Sequence, residues 1–441
     1  MSRTDIYKNG RPVYIVDGNR TPFLKARGKP GPFTASDLAV AAGKALLVRQ
    51  PFTPEALDEV VLGCVAPGPD EANIARVVAL RLGCGKQVPA WTVQRNCGSG
   101  MQAIDAAALD IAFGRSDLVL AGGCEAMSHA PLLLNDEMAV LLGEWGRAGT
   151  RWNKLRLLGR FRPRHFRPVA ALLRGLTDPI SGLSMGQTAE NLAARFQLGR
   201  ERMDAFALES HRRLAAARDA GRLAEISAIY DHDGNFYDHD EGVRPDSDMA
   251  GLARLKPVFD HPFGLVTAGN SAQITDGAAW LVLASAEALW KYRLPVMGRI
   301  IDSELAGVAP EQMGLGPVHA MARIMKRQGL ASQDIGFWEI NEAFAAQVLA
   351  CLEAWQSPDY CKSELGLDDP FGAIDREILN VDGGAVAIGH PVGASGARIV
   401  LHLVNVLRRN NARLGMAGLC IGGGQGGAML IELSREASHA E

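Results

Sequence analysis

Short apolar strands alternate with helices of ten or more residues, and the alternation occurs twice along one chain. Residues 13–16, 60–63, 90–95 and 117–121 read as buried strands, with helical stretches at 36–48, 73–82 and 101–113 between them. Strands of this kind, separated by helices, belong to an α/β sheet covered on both faces. Ser36 stands where the N-cap of the first helix belongs. The rhythm breaks near His129 and returns at residues 277–283. Between lie amphipathic stretches at 188–196 and 200–220, which read as an inserted, mainly helical domain spanning 129–257. The chain therefore divides into residues 1–293, which carry the insertion, and residues 294–441.

The second half repeats features of the first. Residues 54–63 have a counterpart in 330–339, and Asp117-Leu118-Val119-Leu120-Ala121-Gly122-Gly123-Cys124 resembles Gly418-Leu419-Cys420-Ile421-Gly422-Gly423-Gly424. Each half also has a strand, a glycine-rich turn and a helix at its centre: Cys97-Gly98-Ser99-Gly100 in one and Gly393-Ala394-Ser395-Gly396 in the other. Two such units packed face to face place these turns on a shared cleft.

Charge and cysteine usage narrow the function classes. Forty-six Lys and Arg against 49 Asp and Glu give a net charge of -3, which argues against a nucleic-acid binder. No apolar run approaches the roughly 18 residues of a membrane span, and the polar start lacks a secretory segment. Seven cysteines, an odd number without a C-x-x-C pair, suit a reducing, cytoplasmic compartment. In that setting the thiols either fill the core or do chemistry.

Cys97 follows a strand and precedes a helix, where backbone N–H groups and the helix dipole favour a thiolate. An isolated free cysteine is more often a small buried hydrophobe. A second element shifts that balance: Asn380-Val381-Asp382-Gly383-Gly384-Ala385-Val386-Ala387-Ile388-Gly389-His390-Pro391 sets a histidine in a glycine-flanked loop before another helix. Histidine is the side chain best suited to accept a thiol proton near neutral pH. Residues 422–427 match G-x-G-x-x-G, yet a strand follows rather than a helix, so no dinucleotide-binding unit fits. These glycines read instead as a tight turn that presents Cys420 and backbone N–H groups to the cleft. Asn341 follows a strand and is placed to hold a water or a carbonyl oxygen.

Gly122-Gly123-Cys124-Glu125-Ala126-Met127-Ser128, Asn341-Glu342-Ala343-Phe344, Gly389-His390-Pro391-Val392-Gly393-Ala394-Ser395-Gly396 and Cys420-Ile421-Gly422-Gly423-Gly424 together resemble the thiolase family, over nearly the whole chain from Arg20-Thr21-Pro22-Phe23 to Leu433. The resemblance implies an α/β fold of two duplicated βαβ-type halves in a five-layer αβαβα arrangement. It implies an acetyl-CoA C-acyltransferase or acetyltransferase that reversibly cleaves 3-ketoacyl-CoA or acetoacetyl-CoA with coenzyme A, in fatty-acid β-oxidation or acetoacetyl-CoA metabolism. Cys97 is then the acylated nucleophile, His390 its base and Cys420 the second acid/base. One oxyanion hole is built from His390 and a water held by Asn341, the other from the backbone N–H groups of Cys97 and Gly422.

Coenzyme A is a substrate in this chemistry, and no metal or redox cofactor is implied. Ser271, Ala272, Ser184 and Met185 fall where the substrate is contacted. Ala272 replaces a serine found in many relatives, and Ser184 stands where short-chain relatives often have histidine. Residues 147–174 carry nine Arg and Lys and no acid. The resemblance links this run to coenzyme A phosphates, to a partner such as a hydratase/dehydrogenase subunit, or to a peripheral membrane surface. A homodimer or homotetramer is also implied. Two other readings are a β-ketoacyl synthase and a non-catalytic, lipid-binding scaffold. The first typically needs two histidines, one of which Cys420 replaces here; the second usually lacks part of the catalytic set, which this chain keeps.

Overall fold

A computed structural model describes residues 10–434. The first half runs β1 (Val13–Arg20), α1 (Ala35–Leu47), β2 (Glu59–Gly63), α2 (Ile74–Arg81), β3 (Ala90–Val93), α3 (Ser99–Ala112) and β4 (Leu118–Ala126). The insertion contributes α4 (Asp136–Arg147), α5 (Arg151–Leu158), α6 (Ala171–Gly175), α7 (Met185–Arg195) and α8 (Arg200–Asp219), after which β5 (Thr275–Ala284) closes the half. The second half runs β6 (Gly298–Gly307), α9 (Gly316–Gln328), β7 (Phe337–Ile340), α10 (Ala345–Gln356), α11 (Val392–Asn410), β8 (Leu414–Ile421) and β9 (Gln425–Glu432). Helix α1 is capped by Thr34 rather than by Ser36. The Thr34 hydroxyl accepts the Asp37 N–H at 3.2 Å, and the Asp37 carboxylate accepts the Thr34 N–H at 3.1 Å, a reciprocal capping box. Ser36 lies inside the first turn and accepts a hydrogen bond from Arg81 at 2.9 Å.

The sheet order β7-β8-β9-β6-β1-β5-β4-β2-β3 makes the duplication visible. In the first half β2 pairs parallel with β4, β4 antiparallel with β5, and β5 antiparallel with β1. In the second half β7 pairs parallel with β8, β8 antiparallel with β9, and β9 antiparallel with β6. The halves join where β1 runs antiparallel to β6, Val13 opposite Ile300. The glycine match expected from the sequence is out of register, however. Gly122 and Gly123 lie inside β4, whereas Gly422, Gly423 and Gly424 form the turn between β8 and β9.

Three hydrophobic clusters hold five layers together, the middle one filling both faces of the central helical layer. Helices α1 and α2 cover the outer face of the first half-sheet through Leu38, Leu46, Ile74 and Val78 against Leu62, Leu120 and Trp280. Helices α3 and α11 pack on each other between the half-sheets, with Ile104, Ile111, Val400 and Leu403 against Leu281, Leu419 and Ile431. Helices α9 and α10 cover the outer face of the second half-sheet through Met321, Met325 and Leu349. Helix α11 is buried on nearly all sides, which accounts for its apolar composition. Its polar exceptions are paired: Arg398 meets Glu339 at 3.4 Å, and His402 meets Glu225 at 2.8 Å and Asp382 at 3.2 Å. Although burial opposes its charge, these carboxylates raise the His402 pKa to about 10.

The insertion is mainly helical, as expected, with two short antiparallel ribbons: Leu132–Leu133 on Val169–Ala170, and Ile229–Tyr230 on Phe236–Tyr237. It is bolted to the first half by the buried Arg20–Asp240 pair, whose two hydrogen bonds measure 2.7 and 2.8 Å. No helix among the described residues is long and apolar enough to cross a membrane.

Candidate active site

The C-terminal ends of the parallel strands carry the functional residues, as open α/β sheets lead one to expect. After β3 the chain turns through Asn96, which holds a left-handed φ of 44°. Ser99 clasps this turn: its Oγ accepts the Arg95 N–H at 2.8 Å and donates to the Asn96 carbonyl at 2.7 Å. Cys97 follows, with Gly98 as the N-cap of α3. Two bonds then staple this turn to the β8–β9 hairpin of the other half. The Asn96 amide donates to the Gly422 carbonyl at 2.8 Å, and Arg95 donates to Gln425 at 2.7 Å. Gly423 and Gly424 hold φ of 88° and 78°, so this tight turn needs residues without a Cβ.

The Gly422 N–H lies near enough to the Cys97 sulfur to favour its ionised form. Of the seven cysteines Cys97 alone is only partly covered; the other six are buried. Its electrostatics differ from the expected thiolate. Desolvation raises the Cys97 pKa, and the N–H groups of Gly422 and Cys97 offset this only in part. At rest Cys97 is therefore a thiol, which would need a base to act as the nucleophile expected of it. Cys420, near the end of β8, is within electrostatic range of Cys97, and its own pKa is pushed well up by burial and by that neighbour.

His390 follows Gly389, whose φ is 106°, and its backbone N–H donates to the Gln273 carbonyl at 3.0 Å. The Ser395 hydroxyl donates to the Pro391 carbonyl at 3.0 Å, so it accepts the Nδ1–H of His390 across 2.6 Å. That assignment leaves Nε2 with its lone pair, and Nε2 has no partner among the described residues. Burial, reinforced by the Arg398 charge, lowers the His390 pKa to about 4, so the imidazole is neutral at physiological pH. The His390 loop packs against the Cys97 half by close backbone approach. A Cβ on Gly123 would stand 2.0 Å from the Gly393 carbonyl oxygen, and one on Gly393 would stand 2.2 Å from that of Cys124.

Asn341 caps the end of β7 and donates its N–H to the Gly418 carbonyl at 2.9 Å, beside the strand that carries Cys420. Its side chain is fully buried, and neither its amide oxygen nor its amide nitrogen has a protein partner among the described residues. An unpaired buried amide is costly unless it holds water or substrate, which suits the oxyanion role expected of it.

A cavity of about 490 Å³ opens onto this junction, lined by Cys97, Gly422, Gly423, Met185, Glu125 and Val392 among others. Of the predicted site residues, Cys97, Gly422 and Met185 line it directly, and Val392 stands two residues beyond His390. Ser184 does not line it: its hydroxyl caps α7 by accepting the Gln187 N–H at 3.3 Å. Ser271 donates to the Thr267 carbonyl at 2.7 Å, and the Ala272 N–H donates to Ala343 at 3.0 Å, which ties their loop to the Asn341 segment.

Glu125 had no role in the sequence reading. Its carboxylate is buried on the cavity wall and accepts N–H bonds from Val65 at 2.9 Å, Ala66 at 3.0 Å and Gly393 at 3.0 Å. It thus binds the loop after β2 to the start of α11. Burial raises its pKa to about 7 in spite of those donors. The available signal was a single acid inside an otherwise apolar strand.

Known proteins match the chain over nearly its whole length. Thiolase N-terminal domain sequences match residues 13–287, and thiolase C-terminal domain sequences match residues 294–433. The chain belongs to the thiolase family. It is 41% identical to the β-ketoadipyl-CoA thiolase of Pseudomonas aeruginosa, covering 96% of this chain and 99% of that one. It is 38% identical to the human mitochondrial 3-ketoacyl-CoA thiolase over 96% and 98% of the respective chains. The crystal structure of human mitochondrial 3-ketoacyl-CoA thiolase in complex with CoA superposes with a TM-score of 0.82 at 37% identity, covering 96% of this chain and 98% of that one. The acetyl-CoA acetyltransferase of Bacillus anthracis gives the same TM-score at 36% identity, with coverage of 96% and 99%.

Proposed function

We propose that this thiolase cleaves 3-ketoacyl-CoA with coenzyme A, giving acetyl-CoA and a shortened acyl-CoA. The observation that carries the reading is that Cys97 and Gly422, from opposite halves, line one cavity and are held together by the Asn96–Gly422 bond, with Cys420 within electrostatic range of Cys97. His390 takes the thiol proton on Nε2 as the Cys97 sulfur attacks the 3-keto carbon. The Gly422 N–H, together with that of Cys97, stabilises the oxyanion; one such donor is worth about 2.7–4 kcal/mol in the transition state. The C2–C3 bond breaks, and Cys420 protonates C2 of the departing acetyl-CoA enolate, whose oxygen is held near His390 and Asn341. The Cys420 thiolate takes the proton of a second coenzyme A thiol, whose sulfur attacks the acyl-Cys97 carbonyl; the acyl-CoA leaves, and the Cys97 thiolate regains its proton from His390. Desolvated thiol and neutral imidazole suit this order, because charge develops only once substrate is bound.

Coenzyme A acts here as substrate. A homodimer or homotetramer and a cytoplasmic setting complete the reading. The insertion supports a contact with a partner subunit or membrane surface, for it exposes Leu132, Trp152, Leu155, Leu158 and Phe166 beside the basic run. Intact-mass measurement after incubation with acetoacetyl-CoA tests the chemistry. An acetyl group on Cys97 that coenzyme A removes is the expected result, and an unmodified protein refutes the reading.

A further inference from the structure

The cavity has two unlike walls. One consists of strand ends and catalytic turns: Cys97, Gly422 and Glu125. The other comes from the insertion, where α6 and the turn after it supply Leu172, Leu176 and Ile180. This second wall is anchored at both ends. The Ala171 N–H donates to the Pro131 carbonyl at 3.1 Å, and the Met185 N–H donates to the Leu176 carbonyl at 2.9 Å. Met185 in turn abuts the catalytic turn, its sulfur 3.3 Å from where a Cβ on Gly422 would stand. The aliphatic wall is therefore held in place against the reacting centre.

The charges in the lining are equally selective. Asp178 is buried, and its carboxylate is fixed by the N–H groups of Ile180 at 2.9 Å and Ser181 at 2.8 Å and by the Ser181 hydroxyl at 3.1 Å. Glu125 is the second buried acid. Against these stands Arg174, which is exposed and has no ion-pair partner among the described residues. A substrate tail ending in a carboxylate would lose its water among leucines and meet two buried acids, with one exposed cation in the lining, Arg174, to set against them.

We infer that the segment Leu172–Ile180 is the acyl-chain wall of the site, and that it selects straight, apolar 3-ketoacyl chains longer than four carbons over chains that end in a carboxylate. This rests on the thiolase reading above and names its substrate class. Each methylene taken from water favours binding by about fourfold, so two or three additional carbons suffice for a clear preference.

The test uses the full-length enzyme and thiolysis kcat/KM for straight 3-ketoacyl-CoAs of four to twelve carbons, with 3-oxoadipyl-CoA as the carboxylate-ended probe. The expected profile rises at least about tenfold above the four-carbon substrate. 3-Oxoadipyl-CoA should fall about tenfold or more below the six-carbon aliphatic substrate. Leu176→Trp should move the optimum to shorter chains and Leu176→Ala should flatten it, with circular dichroism confirming the fold of each. Leu172→Trp provides an independent filling of the same wall. A flat profile, or a preference for 3-oxoadipyl-CoA, with Cys97 still acylating, overturns the inference and leaves the thiolase reading intact. Failure of every thioester to acylate Cys97 overturns both.

Discussion

The starts of α3 and α11 are equivalent places in the two halves, and they are built alike but used differently. Each is preceded by a residue at positive φ, Asn96 at 44° and Gly389 at 106°, immediately before the side chain proposed to do the chemistry, Cys97 or His390. Cys97 is partly open to the cavity, whereas His390 is 8% exposed and has its ring fixed by Ser395. The contrast teaches that one backbone device serves two needs. A nucleophile must meet the substrate carbonyl, while a base whose charge would be costly at rest is kept neutral by withdrawing it from water.

The most severe way to break this pairing is to remove the open partner. Cys97→Ser should lower turnover by about 10,000-fold or more and abolish the acyl adduct seen by intact mass. Persistent turnover would mean that another group carries the acyl chain. Next comes Cys420→Ala, which should cost about 1,000-fold in the overall reaction. Cys97 should still acylate slowly from acetyl-CoA in this variant, while exchange of the acetyl-CoA α-protons with deuterated water should vanish. Continued exchange would reassign the second thiol.

Ser395→Ala sharpens the other side of the comparison. Without its acceptor the Nδ1–H loses direction, so kcat/KM should fall about tenfold, with recovery in Ser395→Thr. In the intact enzyme kcat/KM should hold from neutral pH down to about pH 5 and fall as pH drops through the His390 value of about 4. The sign for stability is the same. A histidine depressed from 6.5 to about 4 contributes stability that is full above 6.5 and is lost as pH falls between these values. A kcat/KM that instead fell near pH 6.5 would show His390 solvated and the Ser395 bond without consequence. The smallest effect is expected for Asn96→Ala, which removes one of two staples to the Gly422 hairpin. The loss of about 1 kcal/mol in that contact should appear as a several-fold drop in the acylation rate, with the melting temperature nearly constant. An unaltered rate would leave the Arg95–Gln425 bond as the sufficient clamp.

Much of this was legible in the chain. The family followed from four short stretches, and the duplicated sheet from residues 54–63 and 330–339, which form matching turns and strands. The register of the second match was not legible, because glycine pairs look alike whether they permit a helix to cross a strand or a hairpin to close. The N-cap shifted from Ser36 to Thr34 because several hydroxyls precede the helix, and only Thr34 has an acid three residues on. The Cys97 thiolate failed as an expectation because a helix start was weighed without the burial around it.

What the amino-acid order determined alone is the alternation of strands and helices, the glycines that permit close approach, and the kinds of reactive side chain placed beside them. These are local properties, set by backbone conformation and side-chain periodicity. What only the tertiary structure decided is protonation and enclosure: a neutral His390, an un-ionised Cys97, a structural role for Glu125, and an aliphatic wall brought from the insertion to the Cys97 turn. Desolvation and enclosure depend on everything packed around a group, much of it hundreds of residues away in the chain, and local sequence carries no measure of either.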